Sequence, residues 1–253
     1  MCEELISIIV PVYNVEKYIV ETMDCVRGQT FEHWELLLVE DCSTDHTVEI
    51  IENDLQQKPD DRIRLLKQPH NMGAARARNR ALFEARGRYI AYLDADDLWV
   101  PDKLERELAF MKGKDAAFVF TGYEFADEQG NGTGKVVRVP ETLTYEQALK
   151  NTTIFTTTVM FDTNKIEKKL LEMPNMKSED TALWWKILRN GYVAYGLDEN
   201  LVKYRRVGKS LSSNKIEALR RIWNLYRKAE GMSVINSAWH FCFWAVRAVR
   251  RRM

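Results

Sequence analysis

The chain has 253 residues, 45% hydrophobic and 29% charged, with 37 Lys and Arg against 37 Asp and Glu. That composition excludes a disordered or fibrous protein, and the balanced charge gives no global attraction to nucleic acid. The scattered cysteines (Cys2, Cys25, Cys42, Cys242) lack CxxC spacing and read as reduced thiols of a cytosolic protein, not as a zinc site or disulfide framework.

In chain order, the first hundred residues alternate strand and helix signals. Ile6–Val10 is a short β-branched run stopped by Pro11, the pattern of a strand covered on both faces. The acidic start before it is no signal peptide, and no uncharged apolar run reaches the ~18 residues of a membrane span. An amphipathic helix over 15–27 follows, then a strand over 36–39 and a helix over 44–55. A strand over 63–66, a basic helix over 73–86 stopped at Gly87, and a strand over 89–93 complete this half. Such alternation with short connections predicts an α/β fold with a mostly parallel sheet flanked by helices.

The second half is less regular. It predicts a helix over 101–111, a strand over 116–125, a turn or mobile loop over 127–134 and a β segment over 156–161. A helix over 179–190, one or two strands within 192–204, and helices over 216–228 and 234–252 follow. No repeat or low-complexity linker interrupts the chain. It reads as one α/β domain over 1–214 with a helical C-terminal extension over 215–253.

In parallel α/β sheets, ligands bind beyond the carboxyl ends of the strands. The acids Asp94, Asp96 and Asp97 follow such an end and repel one another unless a cation neutralises them. A hard divalent ion with oxygen ligands suits them; the plainer reading is a capped turn with solvated acids. Arg76 and Arg78 open a helix just after Gly73, where a helix N-terminus and guanidinium groups suit phosphate; a solvated basic face is the alternative. Glu40 and Asp41 end another strand and can accept from an imide N–H such as that of uracil, while Ser43 or Thr44 caps the next helix. Tyr13 can stack on a base or simply end a strand. Glu179 and Asp180 open a helix as electrostatically comfortable acids or as a general base. Trp184 and Trp185, one turn on, offer an aromatic wall to a sugar, though Trp184 equally suits the core.

Five segments together resemble glycosyltransferase family 2, the inverting enzymes with the GT-A fold, in its non-processive bacterial polysaccharide form. They are Ser7–Asn14, Val39–Thr47, Asn71–Asn79 with Gly87–Asp97, Glu179–Asp180, and Tyr204–Ser212. The resemblance spans about residues 5–214 and implies transfer from a nucleoside-diphosphate sugar, most naturally UDP-linked, to a hydroxyl of a cell-surface glycan or lipid-linked oligosaccharide. It implies Asp180 as the base and Asp96, with Asp94, as the holder of Mg2+ or Mn2+. It also implies donor contacts at Pro11, Tyr13, Asn14, Asp41, Asn71, Arg78, Asp94, Ala95, Glu179, Trp184, Arg205 and Lys209. Two positions depart from the family pattern. Glu40 replaces the usual first Asp of the nucleotide turn, and Val207 stands near the place of a His in many relatives, leaving Arg205, Arg206 and Lys209 to supply charge there. The QxxRW motif and spanning helices of processive members are missing, which implies single additions.

Two other classes compete. A nucleotidyltransferase is expected to carry a Gly-rich basic loop near its start, and Pro11–Asn14 is none. A non-catalytic sugar-nucleotide-binding subunit of a membrane assembly has no need of Asp94, Asp96 and Asp180. The last helix carries Trp239, Phe241, Phe243 and Trp244 and then Arg247, Arg250, Arg251 and Arg252 without an acid. That pattern predicts peripheral contact with an anionic membrane, at the inner face of the cell membrane, with packing on the domain or in a homodimer as the alternative.

Overall fold

The computed structural model describes residues 4–150, 153–206 and 215–250. The first half forms β1 (Ile6–Val12), α1 (Ile19–Arg27), β2 (Trp34–Glu40), α2 (Thr47–Gln57), β3 (Ile63–Lys67), α3 (Ala74–Glu84) and β4 (Tyr89–Tyr92). Next come β5 (Leu98–Trp99), α4 (Lys103–Gly113), β6 (Phe118–Ala126), β7 (Gly132–Val137), β8 (Thr142–Leu143) and α5 (Tyr145–Ala148). A 3-10 turn at Thr156–Thr158 enters β9 (Val159–Asp162), and α6 (Glu179–Arg189), β10 (Ala194–Arg205), α7 (Lys215–Asn224) and α8 (Val234–Arg250) complete the chain.

The strands form one mixed sheet in the order β3-β2-β1-β4-β9-β6-β10-β5, with β7 added to β6 and β8 to β10. The first four strands run parallel. The chain passes from β1 outward to β3 and then returns to β4 on the other side of β1, so the crevice beyond β1 and β4 is the topological switch point. β9 runs antiparallel to both β4 and β6, and its entering end therefore reaches the rim at which β4 leaves.

Side chains alternate strictly between the two faces of the parallel half. Ile6, Ile8, Val10 and Val12 pack with α1, α2 and α4, whereas Ile9 packs with α3 and α6. Both faces are covered, which is why these strands read as continuous apolar runs. β1 continues through Pro11 to Val12, two residues past its expected end. The Ile9 carbonyl accepts the last amide from the β4 side, Leu93 N–H at 3.0 Å, and Pro11 faces that same side where no strand remains. Gly87 is not the helix stop, since α3 ends at Glu84; a Cβ at Gly87 would lie 2.6 Å from the Leu5 carbonyl oxygen.

In two places of the second half the structure takes one of the readings the sequence leaves open. Residues 127–134 are an ordered turn into the edge strand β7: Asp127 accepts the amides of Gln129 and Asn131 at 3.0 and 2.8 Å, and Gly130 takes a positive φ. The C-terminal helices also complete the core. Tyr226 stacks on Trp185 at 5.0 Å, and Ile222, Leu225 and Trp244 join the cluster that holds α3 and α6. Among the described residues no helix is long and apolar enough to cross a membrane.

Candidate active site

The predicted residues of the first half converge at the switch point. At the ends of β1 and β2 the chain is laced locally. The Asn14 side-chain oxygen accepts the Thr44 amide at 2.8 Å, and the Asn14 amide donates to Ser43 Oγ at 3.1 Å. Tyr13 is half exposed beside this lacing, and Pro11 is partly buried. Glu40 accepts the Ser43 amide, closing the turn from inside. Asp41 is buried and already well used. Its carboxylate accepts from the amides of Met72 and Gly73, both at 2.7 Å, and from the Gln68 side chain at 3.1 Å. Asn71 donates to the Asp41 carbonyl at 2.9 Å, so this corner fixes the start of α3 relative to β2.

Arg78 is the centre of the site. It projects from α3 with 7% of its side chain exposed and donates to Asp94 at 2.6 Å and to Glu179 at 2.9 Å. One guanidinium thus joins the end of β4 to the start of α6, two segments 85 positions apart, through the charge-assisted bonds that arginine makes best. Burial opposes its charge, but Asp94 and Glu179 outweigh burial and raise its pKa further. Glu179 is held above the ordinary carboxylate range by burial, with Arg78 pulling it back down.

Beyond Arg78 the acids crowd. Burial, and next the Asp94 charge, push Asp96 up to about 6. Asp97 is fully buried and pushed well up by burial and by Asp96 and Asp94, although the Thr157 hydroxyl donates to it at 2.6 Å and the Arg205 amide at 2.9 Å. Ala95 is buried, and its carbonyl accepts from Thr22 at 2.8 Å. Among the described residues no three His, Cys, Asp or Glu side chains form a closed metal cage. The donor set still fits a hard divalent ion. Partly exposed Asp96 carries excess negative charge, and magnesium-like ions take one or two protein carboxylates plus water and ligand phosphates.

Two threonines join this turn to α6, and sequence reasoning missed both. Thr157 Oγ accepts the Asp94 amide at 3.2 Å and donates to Asp97, while Thr156 donates to Asp180 at 3.3 Å. Asp180 also accepts the Thr181 amide at 2.6 Å. The run Thr156-Thr157-Thr158 was the available signal, but three β-branched residues before an apolar run read simply as more strand. Backbone strain marks the same rim. Asn14, Cys42 and Ser178 are three of the four non-glycine residues with positive φ among the described residues, and such strain persists where the surroundings enforce it.

Two expected donor contacts are corrected by their placement. Trp184 is no cleft wall. It is buried at 2% exposure among Phe161, Phe118 and Tyr92, because the inward stripe of α6 needs an apolar residue there. Arg205 is turned inward, fully covered, with its guanidinium on Glu21 at 2.6 Å and over the Tyr18 ring at 4.8 Å. Its placement follows from β10 running under the Asp97 turn, with the Arg205 amide bonded to Asp97. Arg76 is exposed. Val207 and Lys209 lie outside the described residues.

A mixed, mostly parallel sheet flanked by helices, with Asp94, Arg78 and Glu179 joined at one rim, has the GT-A architecture. Residues 7–172 match the family model described as Glycosyl transferase family 2, and the chain belongs to that family and is a glycosyltransferase. It is 43% identical over 250 residues to the glycosyltransferase TuaG of Bacillus subtilis, assigned to teichuronic acid biosynthesis, covering 98% of each chain. It is 37% identical over 227 residues to the Escherichia coli UDP-Glc:alpha-D-GlcNAc-diphosphoundecaprenol beta-1,3-glucosyltransferase WfgD, covering 89% of this chain and 86% of that one. Two solved structures share the fold across 95% of this chain. S. aureus TarS 1–349 in complex with UDP-GlcNAc gives a TM-score of 0.70 at 21% identity over 71% of that chain. The mannosyltransferase PcManGT of Pyrobaculum calidifontis with GDP-Man and Mn2+ gives 0.72 at 19% identity over 73% of that chain.

Proposed function

We propose that the protein moves a single sugar from a UDP-sugar to a hydroxyl of a lipid-linked or cell-surface glycan, with inversion at the anomeric carbon. The observation that carries this reading is the Asp94–Arg78–Glu179 bridge, which holds the acidic turn and the head of α6 against one crevice. One relative named for teichuronic acid biosynthesis and one named for glucosyl transfer to a diphosphoundecaprenol-linked sugar support the acceptor class.

In this mechanism the base lies at the ends of β1 and β2, near Tyr13 and the Asn14–Ser43 lacing, with Asp41 offering its remaining lone pair to the imide N–H. Pro11, Asn71 and the Ala95 backbone shape the floor. Asp96, with Asp94, would hold a divalent cation, which supplies electrostatic neutralisation of the leaving diphosphate. Arg78 holds Asp94 and Glu179 in fixed positions throughout, a preorganised charge arrangement that needs no rearrangement during reaction. Asp180 accepts the proton of the acceptor hydroxyl as that oxygen bonds to the anomeric carbon. The bond from that carbon to the diphosphate oxygen breaks on the opposite face, and UDP leaves with the bonding electrons.

The test is UDP release from a panel of nucleotide sugars, with and without acceptor. Asp180→Asn keeps donor binding and loses about 10²–10⁴-fold in transfer. Transfer by that variant at the wild-type rate removes Asp180 as the base. Full activity of thoroughly chelated protein removes the metal.

A further inference from the structure

The helix α8 has two apolar faces, and only one is used. Trp244 faces inward and is 8% exposed, and Phe241 stacks on it at 5.7 Å. On the other face Ile235, Trp239, Phe243 and Val246 are 81, 61, 40 and 54% exposed. Their spacing of four, four and three positions draws one stripe along the helix. Trp239 and Phe243 meet edge to face at 5.0 Å, so two of the largest apolar side chains stand together in water.

The charge around the stripe has one sign. Residues 231–253 contain no acid. The Lys150 ammonium lies 5.5 Å from the centre of the Phe243 ring, and exposed Arg247 donates to the Lys150 carbonyl at 3.4 Å. Residues 215–253 hold nine Lys and Arg against two Glu, while the rest of the chain holds 28 against 35. The overall neutrality therefore conceals a basic end on an acidic body. Such asymmetry chooses between occupants. A second copy docking by its own α8 would bring the same flanking cations against these and repel. An anionic bilayer supplies an apolar layer for the rings and negative headgroups for the flanking cations.

We infer that the outer stripe of α8 is a docking surface for an anionic lipid bilayer, on which the helix lies flat. The inference deepens the proposed lipid-linked acceptor and rests on that reading for its purpose, though not for the binding itself. It is tested with the full chain by flotation with phosphatidylcholine vesicles containing or lacking phosphatidylglycerol. Recovery should be at least about tenfold higher with the anionic vesicles at low salt and should fall as salt rises. Trp239→Ser with Phe243→Ser should lower the partition by about tenfold or more, and Arg247→Glu by about fivefold. These positions are exposed and none belongs to the proposed catalytic or donor-binding groups, so UDP release from free donor should stay at the wild-type rate in all variants.

Equal recovery with neutral and anionic vesicles, no recovery with either, or full recovery of the Trp239–Phe243 double variant each overturn the inference. A dimer in sedimentation velocity that the double variant dissociates also overturns it, by giving the stripe to a second copy. Loss of sugar transfer with vesicle binding intact would instead defeat the proposed chemistry and leave the docking surface standing.

Discussion

Replacing Arg78 with methionine isolates the group that ties the site together. Methionine keeps much of the packed length and removes the charge and every donor. Asp94 is then left facing Asp96, and Glu179 facing Asp180, with no counter-charge between them. Breaking a buried ion pair from one side typically costs ~3–5 kcal/mol. Asp94 and Glu179 keep 23% and 20% of their side-chain exposure, so water recovers part of that loss. The lower end, about 3 kcal/mol near neutral pH, is expected. The pH dependence follows from Glu179, which burial already holds above its ordinary value and which loses the downward pull of Arg78. Its folded form then keeps a proton to higher pH than its unfolded form. Stability of the variant is thus best below the unfolded value and falls as pH rises, and the deficit against wild type shrinks toward pH 5. Urea unfolding followed by circular dichroism at both pH values measures this. A deficit below about 1 kcal/mol at neutral pH, or one independent of pH, would refute the electrostatic account of the bridge.

Thr157→Val removes the hydroxyl shared by Asp97 and the Asp94 amide and should cost ~1–3 kcal/mol, most of it restored in Thr157→Ser; thermal melts of both variants decide. Trp184→Leu should cost about 3 kcal/mol through an aromatic-sized cavity while leaving UDP-sugar affinity by calorimetry unchanged; weakened affinity in a folded variant would return Trp184 to the cleft. Lys103 and Glu107 form a fully buried pair at 2.6 Å beneath the Trp99 ring, with burial pushing Glu107 up to about 7. Lys103→Met alone should destabilise by ~3–5 kcal/mol, whereas adding Glu107→Leu should bring unfolding back to near wild type.

The parallel half was legible because its signals are local. Ile6–Val12 and Trp34–Glu40 are mostly apolar and buried on both faces, and each is followed by a polar turn, Tyr13-Asn14 after the first and Asp41 to Asp45 after the second. Periodicity did not reveal long-range partners. Arg78 looked like a phosphate ligand at a helix start, yet it sits on Asp94 and Glu179; only the sheet order brings those three together. Trp184 and Arg205 failed for a related reason. Aromatic and basic residues suit a sugar site and a protein interior equally, and the choice depends on which way α6 and β10 face. Asp41 reads the same way in any sequence, but its partners Met72 and Gly73 lie about thirty positions downstream, beyond any local pattern. Net charge summed over the chain carries no such information; the basic C-terminal end is legible only in the run of arginines from Arg247 on.

Strand β9 enters the sheet backwards, and this has a consequence for how such a protein diversifies. The path from Ala126 at the close of β6 to Thr156 is a detour that adds the short strands β7 and β8 to β6 and β10 before β9 takes its place between β4 and β6. Residues can be gained, lost or exchanged along much of that detour before β9 re-anchors against β4. Thr156 and Thr157 then arrive at the same register whatever preceded them. A chain built this way can vary what it recognises over that excursion while the chemistry beside Asp94 stays where it is.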